Sequence, residues 1–163
     1  MAKLPAFEIR EATLRDVAGI LDCLREAFEP FRQAYTPEAF ADTILTAPSL
    51  NRRFATMTLL VAATADGAIV GTIGFSQVDA REGHLRGMAV RAAWQGTEVA
   101  RQLLAAAEAG LQGHGCRRVT LDTTQPLERA IAFYQKHGCT ATGHLQHYFG
   151  MRLYEFARDL AHG

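Results

Sequence analysis

Long apolar runs, paired cysteines and an excess of either charge are what this sequence has least of. No stretch approaches the ~18 apolar residues of a membrane-spanning helix, and the start, MAKLPAFEIREATLRD, holds no continuous apolar core of a secretion signal. Neither a membrane nor export is therefore expected. Seventeen basic side chains face seventeen acidic ones, so the basic footprint of a nucleic-acid binder is absent. The three cysteines, Cys23, Cys116 and Cys139, never fall in C-x-x-C spacing, which argues against a disulfide framework and a zinc site and suits a reducing cytoplasm. Repeats, low-complexity tracts and linkers are missing as well. At 163 residues, 48% hydrophobic and 21% charged, the chain can bury one core without staples, and a single domain over 1–163 is expected.

What is present is regular patterning. In AFEIREAT, apolar Phe7 and Ile9 alternate with charged Glu8 and Arg10 as in a strand, and Thr13 then caps LRDVAGILDCLREAF. Leu14, Val17, Ala18, Leu21 and Leu24 recur at helical spacing, and Pro30 marks the helix end. Thr36 and Pro37 open a second helix, which Pro48 is expected to stop. TLLVAATADGAIVGTIGFSQV reads as a hairpin about Asp66-Gly67, HLRGMAV as a further strand, and the stretch from Thr97 as a long amphipathic helix. RRVTLDTT, PLERAIAFYQKHG and HYFGMRLYEFARDL follow as a strand, a helix stopped by Gly138, and one or two closing strands. The order β-α-α-β-β-β-α-β-α-β-β contains a β-α-β crossover. An α/β (α+β) domain is expected, with a mixed central β-sheet flanked by helices on both faces.

Chemistry enters at MAVRAAWQGTEVARQLLAAAEAGL, Met88 to Leu111. A strand feeding a helix through a glycine turn presents free backbone N–H groups and the positive end of a helix dipole, which together suit an anion. Many β-α connections share that property. LRGMAVRAAWQG and ARQLLAAAEAGLQGHGCRRVTLDTT, followed by AIAFYQKHGC, resemble the core of the GCN5-related N-acetyltransferase superfamily from Asp66 to Cys139. The resemblance implies acetyl-CoA as co-substrate, no metal, and a splay between the strand ending near Val90 and the strand near Val119. It also implies that Met88, Ala89 and Val90 pair their backbone with the pantetheine arm. The turn pattern Arg/Gln-x-x-Gly-x-Gly/Ala maps from Gln95 to Ala100 and assigns Gly96, Thr97, Glu98, Val99 and Ala100 to the pyrophosphate.

Glu98 departs from that pattern, standing where the family has glycine. Aimed at the pyrophosphate from about 4 Å, its charge would cost ~1 kcal/mol in water and ~4 kcal/mol at an effective dielectric of 20. Aimed outward, with Thr97 as N-cap, it would sit in the first helical turn and be favourable by roughly 0.3 to 1 kcal/mol. Arg91 and Arg101 are close enough in sequence to offset it.

The resemblance gives Tyr134, in the Phe-Tyr-x-Lys-x-Gly segment, the role of proton donor to the departing thiolate; as bare residues, Phe133 and Tyr134 suit core aromatics equally. Leu127 stands where many members have a coenzyme-holding asparagine. HLRGMAV resembles the strand of arylalkylamine N-acetyltransferases whose first histidine assists proton removal, which makes His84 the candidate base and Glu82 the reserve. Arg86 replaces that strand's second histidine, and His84 as a boundary side chain remains open. His144 and His147 lack a third metal ligand. Arg52 and Arg53 in SLNRRF read as a solvated loop, with coenzyme phosphates as the alternative. Phe28, Phe31, Tyr35 and Phe40 suit either an apolar amine pocket or core packing. The expected function is N-acetylation of a small-molecule primary amine through a tetrahedral intermediate, in the cytoplasm, without nucleic acid or membrane and with a homodimer left open. The rival is a non-catalytic domain of this fold with weakened coenzyme A binding, which Glu98 and Leu127 favour.

Overall fold

Seven strands form one mixed sheet in the computed structural model, which describes residues 3–160. They are β1 (Phe7–Glu11), β2 (Thr58–Thr64), β3 (Ile69–Gln77), β4 (Glu82–Val90), β5 (Arg118–Thr124), β6 (Thr140–Tyr148) and β7 (Met151–Asp159). Their order across the sheet is β1-β2-β3-β4-β5-β7-β6. Among the described pairs only β4 and β5 run parallel, as they must when a right-handed crossover joins them. That crossover is α4 (Val99–Gly113). The remaining helices are α1 (Val17–Phe28), α2 (Pro37–Ile44), α3 (Ala47–Thr56) and α5 (Glu128–Lys136). None of the described helices is long and apolar enough to cross a membrane.

The strand sequences explain the layering. β2 and the first seven residues of β3 are buried almost throughout, and such strands need cover on both faces. On one face Leu60, Ile73, Leu85 and Val119 pack with Leu103 and Leu111 of α4. On the other, Val61, Ile69 and Ala89 pack with Ile20 and Leu24 of α1 and Leu50 of α3. The Asp66-Gly67 turn forms as expected, with Gly67 at φ +88. Its geometry needs positive φ, which glycine adopts without strain.

Three readings of the chain are corrected. Pro48 does not stop α2; it lies in the first turn of a third helix, α3. Thr46 and Ser49 close a reciprocal capping box there, Thr46 N–H donating to Ser49 Oγ at 2.8 Å and Ser49 N–H to Thr46 Oγ1 at 3.3 Å. Proline in that first turn removes no helical hydrogen bond. SLNRRF is therefore helical, and Arg52 and Arg53 do not lie in a loop. At the other end, residues Leu14–Asp16 form a 3-10 turn ahead of α1. Leu14 is 68% exposed and does not join the apolar face, because the tighter turn rotates it away from the α-helical stripe. Asp16 fixes this turn by accepting the Thr13 N–H at 2.8 Å and both Nη atoms of Arg10 at 2.8 and 2.9 Å.

Candidate active site

The β4–β5 ladder pairs Glu82 with Arg118 through Leu85 with Leu121 and then ends. Beyond it, residues 86–90 of β4 have no strand partner on the β5 side among the described residues. On the β3 side β4 carries one extra residue: Ala89 lies opposite Thr72, but Arg86 opposite Gly74. Gly87 at φ +69 takes the resulting bend, and a bulge of this kind releases backbone groups from the ladder. Two clefts meet at this opening, of about 480 and about 310 Å3. Phe28, Met88, Leu127, Ala130 and Tyr134 belong to the walls of both.

The larger cleft runs from Met88, Ala89 and Val90 to Gln95, Gly96 and Ala100. Gln95 Nε2 donates to Val90 O at 3.1 Å, and Arg129 Nη1 donates to Gln95 Oε1 at 3.3 Å, which stiffens the entry to the turn. Gly96 sits at φ +78, and the place of a Cβ there is open for 4 Å around. The helix begins one residue beyond the sequence expectation. Glu98, at φ −75 and ψ −6, occupies the capping position ahead of Val99. Thr97 does not serve as its cap: the hydroxyl donates to Trp94 O at 2.5 Å and receives only a 3.4 Å bond from Val99 N–H. The first-turn N–H groups of Val99, Ala100 and Arg101 precede any intrahelical acceptor four residues back. Val99 itself is wholly buried in the core, so only its backbone belongs to the turn.

Glu98 leaves the turn. Its carboxylate is 61% exposed and pairs with Arg101 one helical turn on, so it lines neither cleft. Arg91 is engaged elsewhere, Nε donating to Ile69 O at 2.6 Å and Nη1 to Glu26 at 3.4 Å.

Tyr134 stands at the junction of the clefts. It is 7% exposed, and its hydroxyl donates to Met88 Sδ at 3.2 Å. Burial, reinforced by the neighbouring Cys139, pushes the phenol well above its ordinary pKa, so it carries its proton throughout the neutral range. It also packs in the core with Phe133, as the core reading of this aromatic expects. Leu127 presents an apolar wall at the same junction.

The smaller cleft is the polar one. His84 enters it from β4 with both ring nitrogens engaged, Nδ1 on Thr120 Oγ1 at 2.8 Å and Nε2 on Asp122 Oδ2 at 3.3 Å. The register explains the grouping, since His84 lies opposite Thr120 and residues two apart on a strand share a face. Asp122 is a site residue that sequence reading missed; it stands 38 positions from His84, and only the parallel register brings them together. Its Oδ1 is buried and has no partner among the described residues. Across the cleft, Asp42 accepts the Tyr148 hydroxyl at 2.7 Å and pairs with Arg86 at 3.4 Å. Arg53 reaches in from α3, while Arg52 is exposed. Glu82 pairs with Arg118 at 3.1 Å and lines neither cleft, which removes it as the reserve base. Phe28 and Tyr35 form part of the wall, Tyr35 hydrogen-bonded to Thr124 at 2.6 Å, whereas Phe40 belongs to the core. His147 lines the cleft and His144 is exposed; no metal-binding group of three such ligands occurs among the described residues.

A family model described as Acetyltransferase (GNAT) family matches residues 18–139. No curated protein matches the sequence. Among solved structures, the PaiA N-acetyltransferase of Thermoplasma acidophilum in complex with coenzyme A is 18% identical, with a TM-score of 0.77 over 92% of this chain and 98% of that one. Ard1 of Thermoplasma volcanium is 20% identical, with a TM-score of 0.76 over 96% and 99%. YncA of Salmonella typhimurium, solved with its cofactor acetyl-CoA, is 18% identical, with a TM-score of 0.69 over 97% and 96%.

Proposed function

The chain belongs to the GNAT acetyltransferase family, and on that premise we propose that it transfers an acetyl group from acetyl-CoA to a small primary amine by direct attack through a tetrahedral intermediate. The observation that carries this reading is the opening of β4 beyond Leu85, where an unpaired strand edge, a bulge and the start of α4 line one continuous cleft. Met88, Ala89 and Val90 would pair with an extended amide-bearing arm, and the N–H groups between Gly96 and Arg101 would hold its pyrophosphate. Acetyl-CoA, bound there, supplies the acyl thioester. The PaiA and YncA structures, solved with coenzyme A and acetyl-CoA respectively, support this choice of co-substrate.

The residues divide the proton work. Asp122, with one oxygen on His84 and the other unpartnered, takes an amine N–H and keeps the nitrogen's lone pair available. A carboxylate only accepts, so the neutral His84 ring carries its hydrogen on Nε2 toward Asp122 and accepts the Thr120 hydroxyl at Nδ1. A proton gained by the ring turns Nδ1 into a donor, and the Thr120 hydrogen then turns to Gly83 O at 3.5 Å. The C–N bond forms and the C–S bond then breaks. The nitrogen's proton passes to the Asp122 carboxylate, and Tyr134 gives its hydroxyl proton to the departing sulfur. Exchange with solvent afterwards removes the first proton and restores the second, so that charge balances. The backbone at the Met88 bulge is the polarising group for the acyl oxygen.

What favours the enzyme over a non-catalytic domain is the pairing of Glu98 with Arg101 away from the cleft. Thiol release from acetyl-CoA, followed over a panel of amines, tests the reading. A thermal-shift titration with acetyl-CoA accompanies it, with about 2.7 kcal/mol of stabilisation expected at 100 times the dissociation constant. No stabilisation at millimolar acetyl-CoA would overturn it.

A further inference from the structure

In the smaller cleft Arg86 is paired with Asp42, and Asp122 stands beside the neutral His84 ring. Arg53 lines the same cleft, and among the described residues no carboxylate pairs with its guanidinium and no hydrogen bond engages it. Nor is it in free solvent: the side chain is half-buried, and Nη1 lies 2.9 Å from where a Cβ on Gly87 would stand. Gly87 therefore makes room for this guanidinium at the β4 bulge. Burial, with Arg86 nearby and only partly offset by the more distant Asp42 and by Tyr148, pulls its pKa down to about 10, so it stays charged at neutral pH in a place that solvates it poorly. A buried charge without an anion is costly, and the planar guanidinium fork fits a carboxylate with two parallel hydrogen bonds.

We infer that the acceptor is a small amine that also bears a carboxylate, and that Arg53 is the residue that binds the acid group. This rests on the proposed acetyl transfer to an amine. With His84 neutral, the cleft is left, among the described residues, with one unpaired cation, Arg53, and one unpaired carboxylate, Asp122. That matches a ligand carrying one acid group and one amine better than a doubly charged phosphate beside Asp42 and Asp122. The complement to Arg53 is the unpartnered Oδ1 of Asp122, which takes the amine end. A volume of about 310 Å3 sets the scale of the ligand at that of an amino acid.

The test uses matched pairs differing only at the acid group: each of the common α-amino acids and its α-carboxamide. Thiol release is measured at saturating acetyl-CoA, and binding is measured by calorimetry on coenzyme A-loaded protein. The best free acid is expected to exceed its amide by ~10- to 100-fold in kcat/KM and in affinity, the worth of a bidentate charge-assisted contact. Arg53→Met should narrow that ratio to within about threefold, and Arg53→Lys should retain part of it. Equal handling of acid and amide, binding of neither, or a preference that survives Arg53→Met overturns the inference. Acid-selective binding without turnover of any amine instead overturns the proposed reaction and leaves the carboxylate site standing. The wild-type comparison needs no variant, and an unaltered coenzyme A thermal shift shows that each variant is folded.

Discussion

Replacing Glu98 with glutamine removes one charge and leaves the backbone of the turn alone. The carboxylate is 61% exposed and paired with Arg101, itself 55% exposed, so seen from the cleft the two charges nearly cancel. An exposed pair one turn apart is worth ~0.2 to 0.5 kcal/mol. Glu98→Gln should therefore lower the melting temperature by only about 1 to 2 °C. The uncovered Arg101 then acts on an anion about 10 Å away with 332/(80 × 10), or ~0.4 kcal/mol, close to a twofold gain in coenzyme affinity. Raising the salt to several times 0.1 M should erase even that gain, since the screening length falls below 10 Å. A carboxylate standing in the anion site would behave otherwise, because its removal would tighten binding by up to about a thousandfold at an effective dielectric of 20. Calorimetric titration of coenzyme A into both proteins, at low and high salt, separates the two. A tightening beyond about tenfold that persists in high salt would refute the outward placement of Glu98.

Tyr134→Phe should reduce kcat by ~100-fold or more while coenzyme affinity stays within about threefold; an unchanged kcat rules out the phenol as the donor. His84→Gln and Asp122→Asn should each lower kcat by at least about tenfold, and the double variant should lose little more than either single one, because the pair acts as one unit. Fully additive losses in steady-state assays would show that the two side chains work independently. Asp16→Asn should destabilise by about 1 to 3 kcal/mol at pH 7 in urea titrations. The Arg10 guanidinium, with the Thr13 N–H behind it, holds the Asp16 carboxyl below its ordinary range. Stabilisation from a carboxyl depressed in this way is complete above the unfolded value of about 3.9 and is lost as the pH falls through the folded one. The gap between variant and wild type should close in acid, and a gap that stays constant to pH 2 would contradict the assignment.

Where local patterning decides the structure, the sequence was informative. Alternation in β1, the Asp66-Gly67 turn and the proline start of α2 all formed where expected. Pro48 shows why one residue can mislead, since proline both ends one helix and suits the first turn of the next. The Thr46 to Ser49 capping box was the signal that separated the two. Leu14 kept the helical spacing but fell in a 3-10 turn. In the site, His84, Tyr134 and the residues from Met88 to Ala100 stood out because each lies in a contiguous motif. Asp122 did not, and Arg53 reads in the sequence only as a loop residue with coenzyme phosphates as the alternative, because their surroundings come from other elements: one is placed by the β4–β5 register and the other by a helix packed across a bulge. The direction of Glu98 depended on a single rotamer, and no pattern of residue types encodes that.

The strand β6 has a consequence for how such a chain can change over generations. Eight of its nine residues are exposed, yet Gln146, His147 and Tyr148 help enclose the smaller cleft. Substitutions at exposed positions usually alter stability by no more than about 0.5 kcal/mol. The smaller cleft is thus walled in part by side chains that selection can replace without endangering the fold. The larger cleft runs along the main chain of Met88 to Val90 and past Tyr134, locked in the core, where replacement is punished by unfolding. One half of the opening is free to diversify while the other is held fixed.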